Sequence, residues 1–393
     1  MGCCPKIAHW LFKLPVKIKT NMYTMDKHRL SYPIIRINRG NPLVFCVFLF
    51  VFCISSNSSL IANTLVVGKG NINAPYDRIL DAIRDATVGD TILIHPGNYS
   101  EQLTLDKRVI ILGYGYHDPS FVARGNKDFV QVRSFYPRGG SAFSVVKGIR
   151  FYRNNDLEPS IFLGAGSGEN IYYEGCWFTT GFRNVGFSGT IRSWVFESCV
   201  FGSPPDNKQR TFDLERFDRE GLVFRNCLFG PDVVIRAPSS GSASGDTTLF
   251  VQCTFLGDGT SGLIGANADF FHLDRCVIDN RPFDSNSGGL FVENSMVFNS
   301  SFPSGTTQTN NVTGQAPVYR NAPAGNRPDS PEFDFRVVNQ PIMGQKTGIT
   351  AAFSRTGFPP ELPRITQVNV VSNQVITAGG VLEIQFNVVQ GGH

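Results

Sequence analysis

Seven short segments share one alternating apolar pattern: SVVKGIRF, IYYEGCWF, WVFESCVF, LVFRNCLF, TLFVQCTF, FFHLDRCVI and LFVENSMV. Aligned on one slot, they place Ile149, Cys176, Cys199, Cys227, Cys253, Cys276 and Ser295 in register, at intervals of 27, 23, 28, 26, 23 and 19 residues. Three residues before the slot stand Val146, Tyr173, Phe196, Phe224, Phe250, Leu273 and Val292. Two residues after it stand Phe151, Phe178, Phe201, Phe229, Phe255, Ile278 and Val297. Period-two alternation on both sides of the slot predicts strands with one buried face. The alternation breaks just before the slot, at Gly148, Gly175, Ser198, Asn226, Gln252, Arg275 and Asn294. Gly and Asn adopt positive φ most easily, so each unit reads as strand, two-residue bend, strand. Repeats of this length mean a solenoid. With coils about 4.8 Å apart, equivalent side chains stack into aromatic, aliphatic and cysteine ladders.

The chain on either side of the repeats reads differently. Residues 76–86 place Ile79, Leu80, Ile83 and Ala86 on one helical face, predicting a short amphipathic helix that covers the open end of the first coil. Strands at 91–95 and 109–112 follow, separated by a turn at Pro96-Gly97-Asn98. Residues 97–101 are read as a turn. Residues 300–332 are rich in Ser, Thr, Asn, Gly and Pro, which fits a long loop or a loosely wound last coil. Residues 364–393 alternate again and predict a terminal hairpin, either a cap or the start of an appended module.

These residues carry a specific resemblance. The stretch YDRILDAIRDATVGDTILIHPGNYSEQLTLDKRVIILGYG resembles the opening of the pectate-lyase-like β-helix superfamily. The matching positions are Gly89, Asp90, Thr91, Ile92, Pro96, Gly97, Tyr99, Glu101, Lys107 and Gly113. FDFRVVNQPIMG resembles the closing segment of many bacterial members. The resemblance implies an all-β fold, a right-handed parallel β-helix over residues 63–345 with a short N-terminal capping helix. Residues 346–393 then form a C-terminal cap or tail. It implies little about activity, because such folds host lyases, hydrolases, esterases and adhesins.

Charge and cysteine usage refine this picture. Residues 43–54 form an unbroken apolar run preceded by Lys27, Arg29, Arg36 and Arg39. That pattern fits a secretory signal over residues 1–62, with cleavage near Ala62 and a start at Met1, Met22 or Met25. Read otherwise, the run is an uncleaved anchor. After signal removal, no stable membrane span is expected. The formal net charge of +4 is misleading, because the first 62 residues hold eight Lys/Arg and one Asp. The remainder is mildly acidic and has no basic tract, which argues against nucleic-acid binding. The five cysteines beyond residue 62 lack C-x-x-C spacing and are read as core packing, not as a metal site.

Catalytic signatures are sparse. His95, His117, His272 and His393 lack the contexts that sugar hydrolases on this fold would need, and no clustered Asp ladder for Ca²⁺ is evident. No cofactor or metal is expected; Ca²⁺ is left open by the fold but not indicated. The register places first strands near 160–164, 184–188, 211–215, 233–237 and 262–266. Asp213, Glu215 and Arg236 then point outward as a candidate acid–base set. Its bland counterpart is a solvated charged loop. Lys147, Arg150 and Arg153 read as ordinary surface, and Asn98, Asn299 and Asn311 are glycan sequons. The expectation is an exported β-helix that binds an extracellular polysaccharide or serves as an envelope scaffold. The alternative is a polysaccharide lyase or glycoside hydrolase.

Overall fold

The computed structural model describes residues 62–70, 74–113, 115, 130–152, 161–163, 168–179, 182–184, 189–202, 210–213, 217–236, 247–258, 264–265, 271–283, 289–322, 334–340, 346–350, 364–370 and 384–389. The chain divides into two units, Met1–Ile61 and Ala62–His393. The signal-like run falls in the first, outside the described residues.

The second unit is a right-handed parallel β-helix. Among the described residues, one sheet runs from Thr64–Val67 through Thr91–Ile94, Ile110–Gly113, Val145–Lys147, Tyr172–Glu174, Val195–Glu197, Val223–Arg225, Thr248–Val251, Phe271–Asp274 and Leu290–Glu293 to Thr307–Thr309. A second sheet carries Val130–Pro137, Ile149–Phe151, Trp177–Phe178, Val200–Phe201, Leu228–Phe229, Thr254–Leu256, Val277–Asp279, Met296–Phe298 and Val312–Thr313. A third, shorter sheet pairs Arg210–Asp213, Val233–Arg236 and Ile264–Gly265.

The bends between the first two sheets form where the alternation breaks. Gly148, Gly175, Ser198, Asn226, Gln252, Arg275 and Asn294 all have φ between 50° and 62°. Each bend amide donates to a carbonyl of the next coil, as in Gly175 N to Glu197 O (3.0 Å) and Asn226 N to Val251 O (3.0 Å). The corner thus continues the inter-coil hydrogen bonding, which is why two sheets behave as one wall. An eighth bend, Asn310 (φ 54°), was not anticipated. Of the two readings of residues 300–332, a long loop or a wound last coil, residues 300–313 follow the second, with strands joining both sheets.

Inside, the repeats bring aromatic rings into two stacks. Phe151, Phe178, Phe201, Phe229 and Phe255 lie with successive ring centroids 4.7–5.1 Å apart and nearly parallel planes. Tyr173, Phe196, Phe224 and Phe250 form the second stack at 4.7–4.9 Å. The stacks meet edge to face, for example Phe196 against Phe201 at 5.6 Å. Such pairs contribute about 0.5–1.5 kcal/mol each beyond the burial of their area. The five cysteines are free and fully buried at equivalent places in successive coils. Each thiol donates to a carbonyl of the preceding coil and to one two residues upstream, as Cys227 does to Phe196 O (3.3 Å) and Arg225 O (3.2 Å). Burial pushes the Cys176, Cys227 and Cys276 thiols well above the usual range.

A helix packs at the first coil, and the chain after the last coil folds back along the second sheet. The helix Ile79–Asp85 is shorter than expected, and it buries Ile79, Ala82 and Ile83. Residues 97–101 are not a turn: Gly97–Leu105 is a strand, bulged between Tyr99 and Gln102, that pairs with Val130–Pro137. Tyr99, Leu103 and Leu105 point into the core, and that burial outweighs the local turn signal of Pro96-Gly97. Near the other end, Tyr319–Asn321 and Asp334–Val337 pair antiparallel. Their Tyr319, Phe335 and Val337, with Ile349 beyond, pack on Trp177, Val200, Leu228, Val277 and Met296, the outer face of the second sheet. Gly348 N donates to Arg275 O (2.7 Å) and Thr350 N to Asn226 Oδ1 (2.9 Å), so this segment also satisfies the bends. The expected terminal hairpin is present as Arg364–Val370 against Ile384–Val389.

Candidate functional site

The expected site lies on the third sheet. Asp213 and Arg236 are register partners on its neighbouring strands Arg210–Asp213 and Val233–Arg236. Glu215 falls outside the described residues. The strand expected at 184–188 is instead Phe182–Asn184, paired with Ile161–Leu163.

Several motif residues from the opening stretch serve the cap. Both Glu101 carboxylate oxygens accept from the helix N-terminus, from Ile79 N (3.2 Å) and Leu80 N (3.0 Å). Lys107 Nζ donates to Arg84 O and Ala86 O at the helix C-terminus, both at 3.0 Å. Asp90 accepts from Thr87 N (2.7 Å), Asn63 N (2.8 Å) and Thr87 Oγ1 (2.9 Å). These bonds hold its carboxyl below the ordinary value. Gly113 approaches the next bend so closely that a Cβ there would lie 2.4 Å from Gly148 O. These four therefore have structural employment.

The outer face of the first sheet was not singled out by sequence. Every second residue of its strands is buried, so the intervening ones face outward. One outward row runs Lys147, Glu174, Glu197, Arg225, Val251, Asp274 and Glu293, each in register with the next. The adjoining row includes Tyr172, Val195, Val223, Leu249, His272 and Phe291. Lys147 Nζ is 2.5 Å from Glu174 Oε2 and sits 5.8 Å from the Tyr172 ring centroid. Arg275 Nη2 lies 2.9 Å from Asp274 Oδ2, and Asn294 Nδ2 donates to Asp274 Oδ1 (3.2 Å). His272 Nε2 and Glu293 Oε1 are 2.9 Å apart, and the His272 and Phe291 rings lie 6.2 Å apart. Phe291 is 44% exposed, one of few large apolar side chains so placed among the described residues.

Glu197 stands out. Half-burial pushes its carboxyl up to about 7, while Arg225 beside it pulls the other way. Neighbouring strands lie about 4.8 Å apart, so Glu174 and Glu197 are adjacent carboxylates held in different environments. Lys147, by contrast, is spent on Glu174, and Arg150 packs over Trp177 (4.3 Å) and Tyr152 (4.9 Å). The sequon at Asn311 is engaged: its amide donates to Val292 O (2.8 Å) inside the last coil. No group of three or more His, Cys, Asp or Glu converges as a metal site among the described residues. Nor is any described helix long and apolar enough to cross a membrane.

No protein-family model matches the chain. No curated protein is significantly similar to it. Among solved structures, two of a pectin methylesterase from Aspergillus niger overlap 64% of this chain and 86% of theirs. One is in a penultimately deglycosylated form and the other deglycosylated; they are 15% and 16% identical to this chain, each with a TM-score of 0.32. Overlap that loose says nothing about chemistry here.

Proposed function

We propose that the chain is an exported, non-catalytic polysaccharide-binding β-helix, and that the outer face of its first sheet is the binding face. The observation that carries this reading is the in-register polar row from Lys147 to Glu293, flanked by Tyr172 and the exposed Phe291. Polar groups on six of seven successive coils, interrupted at Val251, match a polymer that repeats along the helix axis. An exposed ring gives the apolar face of a sugar a flat partner. Export is supported by the signal-like run at 43–54. The test is electrophoresis through gels containing dissolved polysaccharides. The expected result is retardation in at least one polymer, weakened in Phe291→Ala and Tyr172→Ala. Retardation in none would leave an envelope scaffold as the remaining binding-independent role.

A second reading is a polysaccharide lyase or glycoside hydrolase at Asp213 and Arg236, with Glu215. The register pairing of Asp213 with Arg236 favours it. Release of reducing ends or of ultraviolet-absorbing unsaturated uronates, lost in Asp213→Ala or Arg236→Ala, would establish that reading and displace the first.

A further inference from the structure

Resting on the binding reading above, we propose that the outer face of the first sheet takes a neutral glycan and turns away polyuronates. The argument is one of charge. Two of the three cations that would recognise a uronate carboxylate are already matched from within the protein. Lys147 is held by Glu174 at 2.5 Å, and Arg275 by Asp274 at 2.9 Å. Arg225 is the exception: it is exposed, and the carboxyl of its register neighbour Glu197 is pushed up to about 7. Glu293 adds a further carboxylate, with only His272 against it at 2.9 Å. An acidic polymer laid along this row would meet a carboxylate on most coils and would have to displace one to reach Lys147 or Arg275. Like charges brought together in this way are costly.

A neutral sugar needs no such displacement. Its hydroxyls donate to the carboxylates and accept from the Lys and Arg nitrogens without breaking the existing pairs. An amino-bearing polymer would in turn have to compete with Lys147 and Arg275 for Glu174 and Asp274. Phe291, 44% exposed beside the His272–Glu293 pair, offers the apolar contact that a neutral ring requires.

The test measures retention of the purified full chain on three immobilised polymers: a neutral β-glucan, polygalacturonate and chitosan. Each is run at about 0.01 M and about 1 M salt, which takes the screening length from about 30 Å to about 3 Å. The expected result is retention on the neutral polymer, changed less than twofold by salt and weakened in Phe291→Ala. Glu174→Gln releases Lys147, so it should gain retention on polygalacturonate of about fivefold at low salt and lose it at high salt. Salt-sensitive retention of the unaltered chain on polygalacturonate or chitosan, with none on the glucan, overturns the neutral class but keeps the binding reading. A Glu174→Gln variant that gains nothing on polygalacturonate overturns the claim that internal pairing masks the cations. Retention on no polymer overturns both readings together.

Discussion

Tyr319 donates its phenolic hydrogen to Asp279 Oδ2 at 2.9 Å across forty residues of sequence. The pair joins the segment that folds over the second sheet to the coil beneath it. Burial pushes the Asp279 carboxyl up and raises Tyr319 far beyond the ordinary phenol range. Tyr319→Phe removes the donor and leaves the carboxyl buried without it. The expected loss is about 1–3 kcal/mol, read as a lower urea midpoint with an unchanged slope. No loss in Tyr319→Phe would mean that the segment is held by its apolar contacts alone.

Tyr173 presents the opposite case. Its ring stacks on Phe196 at 4.7 Å, but its hydroxyl is buried with no hydrogen-bond partner. Tyr173→Phe keeps the stack and removes the orphan. The variant should be as stable as the parent or more stable by up to about 1–3 kcal/mol. A clear loss of stability would show that the hydroxyl has a partner, such as a buried water.

Ser295 occupies the same slot as the cysteines. Its hydroxyl donates to Glu293 O (2.7 Å) and accepts from Cys276 N (3.0 Å), so the slot tolerates oxygen. Cys276→Ser should therefore cost less than about 1 kcal/mol, whereas Cys276→Val overfills a packed column and should cost about 1–3 kcal/mol. The same burial predicts that Cys176, Cys199, Cys227, Cys253 and Cys276 resist alkylation in the native state and react on unfolding. Mass spectrometry of the alkylated peptides reads this directly.

Glu197 sets a pH dependence. Its folded value, about 7, exceeds the unfolded one, so the folded state holds its proton to higher pH. Stability from this group is therefore full below the ordinary carboxylate range and falls as pH rises toward about 7, then levels. Glu197→Gln should flatten that decline, gaining on the parent at pH 8 relative to pH 4. Parallel pH profiles for the two proteins would remove Glu197 as the cause.

How far the fold was legible depended on the range of each interaction. The bends at Gly148, Gly175, Asn226 and Asn294 were readable because positive φ is a local property written in the residue type. Ser198, Gln252 and Arg275 adopt the same bend only because the repeat imposes it. The eighth coil could be read only as a long loop or a loosely wound coil, because Gln308, Asn311 and Thr313 replace the apolar ladder residues where the solenoid meets solvent. The role of Glu101 was hidden because its partner amides, at Ile79 and Leu80, lie more than twenty residues upstream.

By itself, the sequence determined the repeat, the strand–bend–strand unit, the buried aromatic and cysteine positions and the helix at the first coil. All of these follow from alternation and backbone preference, which act over a few residues. Only the tertiary structure decided which outward residues meet. Lys147 and Glu174 are 27 residues apart in the chain, and Glu197 and Arg225 are 28 apart. The slot alignment puts all four in one column, two residues before the slot, but a shared column does not say which neighbours form an ion pair. The folded structure decides that Lys147 pairs with Glu174, and it sets the backbone register of Asp213 with Arg236.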